Sequence, residues 1–90
     1  MQETLIYDAI RSPRAKAKPN GGLAQLTPLA LLKQLYNALE QRNDLDPMHL
    51  DDVLLGCVSQ YGEQGGTVAR ASVVYANWPD QLPGLTVNRF

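Results

Sequence analysis

The run Val53-Leu54-Leu55-Gly56-Cys57-Val58 limits the possible folds of this chain more than any other feature. It has no polar alternation, so it has no side to turn toward water. A segment of that kind is a strand covered on both faces, as in the interior of a parallel sheet. Gly56 inside it suggests close approach by a neighbouring backbone or side chain. Two further segments read as strands. Thr4-Leu5-Ile6-Tyr7-Asp8-Ala9-Ile10 is apolar on both faces and is closed by Ser12-Pro13, and Leu85 to Phe90 follows the turn signal Pro83-Gly84. The expected strands therefore cover about 4–10, 53–60 and 84–90. If Asp8 is buried in the first of them it needs a partner, and either Arg11 or Arg70 has the right charge.

Helices fill the intervals. Thr27-Pro28 opens the first, with the hydroxyl accepting from an unpaired N–H and Pro placed where no N–H is needed. Leu32, Leu35, Tyr36 and Leu39 recur at helical spacing, and Leu29, Leu31 and Ala38 widen the stripe. This helix faces the core and covers about 27–42. Asp46-Pro47 repeats the cap-then-Pro signal for one short turn through Leu50. Thr67 is positioned to cap a second helix over about 67–77, with Val68, Ala71, Ser72 and Tyr75 on one face. The turn Gly62–Gly66 precedes it. Residues 11–26 hold Pro13, Pro19-Asn20 and Gly21-Gly22, so they form a long loop, of a length usually associated with function or mobility. The order is β-α-β-α-β, an α/β class whose right-handed crossovers imply a parallel sheet.

Composition narrows the possible functions. With 90 residues, 44% hydrophobic and 19% charged, the chain is one small domain that buries about 60–70% of its unfolded surface. A single cysteine permits no internal disulfide, so marginal stability or dependence on a partner is expected. No apolar run approaches the roughly 18–20 residues that span a membrane. The first residues lack a secretory pattern, and a reducing, cytoplasmic setting fits. Residues 1–45 carry six basic and four acidic groups, and 46–90 carry two and five. Arg11, Arg14, Lys16 and Lys18 are capable of meeting phosphate groups, although a solvated loop accounts for them as well. They have no interleaved aromatics, and the net charge of −1 is wrong for a nucleic-acid binder.

The residues offer little chemistry of their own. Gly62-Glu63-Gln64-Gly65-Gly66 lies between a strand and a helix start, where backbone N–H groups bind phosphate, but it matches neither the P-loop nor the dinucleotide pattern. A turn needing positive φ explains it. Cys57 and His49 are the only thiol and imidazole, formally a nucleophilic pair. Cys57, however, falls in the strand expected to be covered on both sides, where a thiol is inert, and His49 falls in a polar turn. One Cys and one His cannot close a zinc site, and the adjacent Asp51 and Asp52 point apart. No catalytic, cofactor-binding or metal-binding residue is assigned.

The ordered pieces nevertheless resemble the start of a thiolase. Tyr7-Asp8-Ala9-Ile10-Arg11-Ser12-Pro13-Arg14 is similar to the family's opening strand, with Ser12 in place of the usual Thr. Gly21-Gly22-Leu23 matches the Gly-rich end of the first loop. Asp51-Asp52-Val53-Leu54-Leu55-Gly56-Cys57-Val58 matches the second strand with its acidic lead-in. Gly62-Glu63-Gln64-Gly65-Gly66 with Ala69-Arg70 matches the next loop and helix. Pro83-Gly84-Leu85-Thr86-Val87-Asn88-Arg89-Phe90 is similar to the strand that delivers the nucleophile. The Arg14 and Lys16 loop and the Gly-Glu-Gln-Gly-Gly form lean toward bacterial thiolases of fatty-acid β-oxidation.

The resemblance implies the opening β-α-β-α-β part of an N-terminal half-domain, in a fold whose complete form is layered αβαβα. It implies acyl transfer between 3-ketoacyl-CoA and coenzyme A, through a Cys that in the family follows Asn-Arg-Phe directly. A His and a second Cys much later in a thiolase act as base and acid. Coenzyme A and acyl-CoA are then substrates of the full-length enzyme, no cofactor is tightly bound, and 90 residues alone are inactive. The family assembles as homodimers or homotetramers, some within β-oxidation multienzyme complexes. Asn88 and Arg89 become candidate dimer-interface residues, with ordinary packing as the competing account. The reading from a different class is a non-catalytic α/β interaction module that binds a partner by a sheet edge.

Overall fold

The computed structural model describes residues 3–89. Helix α1 spans Pro28–Asn43. Thr27 caps it as expected, with Oγ1 accepting from Ala30 N–H at 3.1 Å and Pro28 in the first turn. It ends at Asp44, whose φ of 48° is left-handed, and the Leu45 N–H closes on the Glu40 carbonyl at 3.0 Å. A 3-10 turn over Pro47–His49 follows, with the Asp46 side chain accepting from Met48 N–H at 3.0 Å.

Strand β1 is Val53–Gly56 and strand β2 is Gly84–Val87; they pair in parallel, with Leu54 beside Leu85 and Gly56 beside Val87. Helix α2, Val68–Tyr75, makes the crossover between them. It ends in a Schellman motif, since Asn77 takes φ 58° while Asn77 N–H bonds the Val74 carbonyl and Trp78 N–H the Val73 carbonyl. The turn before α2 needs positive φ at Gly62 (61°) and Gly66 (63°), the conformation glycine supplies.

The core lies where α1 and α2 meet. Tyr36, Val73, Ala76, Trp78 and Leu82 are buried together, with Leu32, Leu50 and Val53 packed against them. Tyr36 and Trp78 stack, their ring centroids 4.5 Å apart at 15°. The indole N–H donates to Glu40 Oε1, which satisfies the one polar atom of a buried Trp. Ser72 is also buried, and its hydroxyl donates to the Ala69 carbonyl at 2.6 Å. Its single proton is thus committed, so the Tyr36 hydroxyl donates to Ser72 Oγ across 2.7 Å. The result is a closed polar link between the two helices.

Several expectations are corrected. Strands extend over four residues each, not to residues 60 and 90, and Phe90 lies outside the described residues. β1 is covered on one face only: Val53 and Leu55 turn toward the helices, while Leu54 is 67% exposed and Leu85 beside it 55%. The inward face of α2 is Val68, Ala69, Ser72 and Val73, with Ala71 and Tyr75 outward, because α2 meets the sheet and α1 together. Thr67 makes no side-chain cap; the buried Ala69 N–H is taken by Thr86 Oγ1 of β2 at 3.2 Å. Gly56 has nothing nearer than Val87 O at 4.0 Å from the position of a Cβ. The close approach is at Gly84 instead.

Residues 4–10 form no strand. They run as an arm outside the two-stranded sheet of β1 and β2, with Ile6 88% and Tyr7 87% exposed. The following loop folds into local turns, including Gly21 N–H to the Lys18 carbonyl and Ala24 N–H to the Gly21 carbonyl. The arm and loop explain a radius of gyration of 14.3 Å, where a compact chain of this length has about 12 Å.

Asp8 anchors the arm, and its partners are neither Arg11 nor Arg70. Asn43 Nδ2 donates to Oδ2 at 2.9 Å, Ala9 N–H donates to Oδ1 at 2.8 Å, and Arg42 pairs with Oδ1 at 3.1 Å. The Asn43 bond first, then the Ala9 amide and the Arg42 charge, hold its carboxyl below the usual carboxylate value. A carboxylate with a depressed pKa stabilises above its unfolded value and loses that contribution as pH falls through its folded one. Acidification below about 3.9 is therefore expected to release the arm before the helices melt. The Asn43 side-chain amide resonances, followed by NMR against pH, report this. A shift that tracks global unfolding instead would contradict it.

Candidate functional site

The carboxyl ends of parallel strands are where open α/β sheets place their chemistry. Here that end is built by β1, β2 and the glycine turn. Cys57 N–H donates to the Val87 carbonyl at 2.9 Å, one step past the assigned strands. Beyond it the carbonyls that follow β1 accept from side chains. Asn88 Nδ2 donates to the Val58 carbonyl at 2.9 Å, and Gln64 Nε2 donates to the Ser59 carbonyl at 2.8 Å. Gln64 Nε2 also lies 3.5 Å from Cys57 Sγ, whose other polar neighbour is Ser59 O at 3.7 Å. Two amide side chains thus tie the sheet end to the turn that follows.

Cys57 is half-buried, lining an open depression of about 220 Å³ with Pro28, Leu31, Leu55 and Val68. That depression is at the start of α1. His49 lines a larger trough of about 530 Å³ with Tyr7, Leu39 and Leu50, at the other end of α1. The 16-residue helix between them is about 24 Å long. The Cys57–His49 pair is therefore not assembled. The ionic neighbour of His49 is Asp46 Oδ2, at 4.0 Å and well exposed. Asp51 and Asp52 are both exposed, and Asp52 Oδ1 accepts from Val53 N–H at 2.8 Å.

No group of three or more His, Cys, Asp or Glu among the described residues is arranged to hold a metal ion. No described helix is long and apolar enough to cross a membrane. The phosphate reading of the Gly62–Gly66 turn gains no support, because the Ala69 N–H in the first turn of α2 already serves Thr86. Asn88 and Arg89 are exposed beyond the end of β2. Arg70, a candidate partner for Asp8, instead donates from Nη1 to the Leu82 carbonyl at 2.8 Å, which steadies the approach to β2. The roles of Thr86 and Arg70 carry no local signal, because their partners are 17 and 12 positions away in sequence.

The family model for the thiolase N-terminal domain matches residues 4–90. The chain is 40% identical over 89 residues to a steroid 3-ketoacyl-CoA thiolase of Mycobacterium tuberculosis, covering 99% of this chain and 21% of that protein. It is 39% identical over 90 residues to the 3-ketoacyl-CoA thiolases of Erwinia tasmaniensis and Idiomarina loihiensis, covering 99% of this chain and 23% of each. The chain therefore spans between a fifth and a quarter of the length of the curated relatives it matches.

Proposed function

From the premise that the chain belongs to the thiolase family, as part of its N-terminal domain, we propose that it serves acyl transfer between 3-ketoacyl-CoA and coenzyme A. The observation that carries this reading is the match over residues 4–90, in which the β-α-β unit falls where the resemblance expects it. In the proposed reaction a Cys after Phe90 attacks the 3-keto carbon and takes the acyl group, acetyl-CoA leaves, and the thiol of coenzyme A receives the acyl chain. A helix N-terminus lowers the pKa of such a thiol, and backbone N–H groups stabilise the oxyanion. In this reading Cys57 is not that nucleophile, which its thiol's polar neighbours support: among the described residues they are the Gln64 amide and the Ser59 carbonyl, neither of them a base. The 90 residues alone are inert in this reading.

The exposed sheet face also supports membership in a larger body. Leu54, Val58, Leu85 and Val87 leave apolar surface on the side away from the helices, whereas layered folds cover a parallel sheet on both sides. Assembly as a dimer with Asn88 and Arg89 near the second subunit, a role in lipid metabolism and a cytoplasmic setting belong to the same proposal. Two assays test it. The 90-residue chain is expected to give no thiolysis of acetoacetyl-CoA above background. A chimera carrying these residues in place of the matching region of the Erwinia tasmaniensis thiolase is expected to turn over. Thiolysis by the chain alone, or a folded chimera that is inactive, overturns the reading.

A further inference from the structure

β2 is a four-residue strand paired on one side only, and the end of such a strand frays unless something holds it. Its beginning is well held. Gly84 lies against the Ala69–Arg70 backbone, Val53 N–H donates to the Pro83 carbonyl at 3.2 Å, and Arg70 grips the Leu82 carbonyl. Thr86 bonds α2 at its middle. At the far end the last backbone rung is Cys57 N–H to Val87 O. Past that rung the hold passes to one side chain, with Asn88 Nδ2 on the Val58 carbonyl at 2.9 Å.

We propose that Asn88 is a positioning residue, whose amide clamps the carboxyl end of β2 to Val58 and so fixes the direction in which the chain leaves the sheet. The catalytic consequence rests on the reading above, in which the nucleophilic thiol follows Phe90. A thiol placed by a strand end inherits that end's freedom, and a displacement of about 1 Å at a reacting atom costs on the order of a hundredfold in rate. The clamp itself stands on the geometry alone.

The experiment has two arms. In the 90-residue chain, amide exchange is followed by NMR at Cys57 N–H, beside the clamp, and at Val53 N–H, the rung at the opposite end of the sheet. Asn88→Ala is expected to speed exchange at Cys57 roughly fivefold, the worth of one hydrogen bond, and to leave Val53 unchanged. Asn88→Asp, similar in size but without the N–H donor, is expected to behave like Asn88→Ala. Equal acceleration at both amides, or none at Cys57, overturns the clamp.

In the chimera with the Erwinia tasmaniensis thiolase, Asn88→Ala is expected to lower kcat per alkylatable site by about tenfold or more at unchanged KM. It is also expected to move the pH profile of iodoacetamide alkylation upward, as the thiol leaves its helix N-terminus. A purely structural role lowers the number of active sites without moving either quantity, and that outcome overturns the positioning role. An inactive parent chimera counts against the thiolase reading, while the exchange arm still decides the clamp.

Discussion

Replacing Trp78 with alanine is expected to leave little folded protein at 25 °C. The side chain is 6% exposed, stacks on Tyr36 and donates to Glu40 from the half-buried flank of α1. Truncating a buried Trp costs about 3–5 kcal/mol, and the lost stacking adds up to about 1 kcal/mol more. A domain of this length has only about 5–13 kcal/mol of stability to lose, with small cores at the lower end. Far-UV circular dichroism against urea reads the effect, since no other Trp remains for fluorescence. Trp78→Phe keeps a ring on Tyr36 and loses the N–H donor, so its loss is expected to be smaller, about 1–2 kcal/mol. A midpoint for Trp78→Ala close to that of the parent would show that the Tyr36–Trp78 contact is peripheral.

Gly84→Ala is expected to be the most damaging of the single-methyl changes in the sheet. A Cβ there would stand 2.7 Å from the Ala69 carbonyl carbon and from the Arg70 nitrogen. These are backbone atoms of a helix and cannot rotate aside, so α2 must retreat from β2. Overpacking of this kind costs about 1–3 kcal/mol. The retreat also stretches the Ala69 N–H to Thr86 bond, and an unpaired buried amide costs a further ~1–3 kcal/mol. Gly56→Ala is the matched control. Its nearest atom is Val87 O at 4.0 Å and its φ is not left-handed, so alanine is expected to be neutral or stabilising by about 0.5–1 kcal/mol. Denaturation midpoints of the two variants test the contrast, and equal midpoints would remove the close approach from the account of β2.

The legible parts of this chain were those whose determinants lie within one turn of helix or one tight turn. Thr27-Pro28 and Asp46-Pro47 each satisfy their own caps, and Gly62 and Gly66 of the turn before α2 take the positive φ that their type suggests. The parallel pairing was legible as well, because a strand, a helix and a strand in sequence have few ways to pack. What misled was the inference from apolar runs to burial. Leu5-Ile6-Tyr7 and Leu54 carry the residues of covered strands, yet they stay exposed among the described residues. Hydrophobic patterning records what a segment is built to contact and is silent on whether the contact lies in the same stretch of chain.

The site end of the sheet shows the same division. The order of motifs along the chain sufficed to indicate a thiolase, and the family match over residues 4–90 agrees with it. Cys57 is half-buried one step past β1, on a sheet that helices cover on one side only, where its apolar run suggests cover on both. That Asn88 meets Val58, that Thr86 serves Ala69, and that Asp8 is held by Asn43 and Arg42 could emerge only once the chain was folded. Those partners stand 17 to 35 positions apart. Local sequence settles caps, turns and helical stripes because they depend on neighbours a few residues away. Packing across the sheet decides which side chain meets which distant carbonyl, because that depends on strand register and the angle at which α2 crosses.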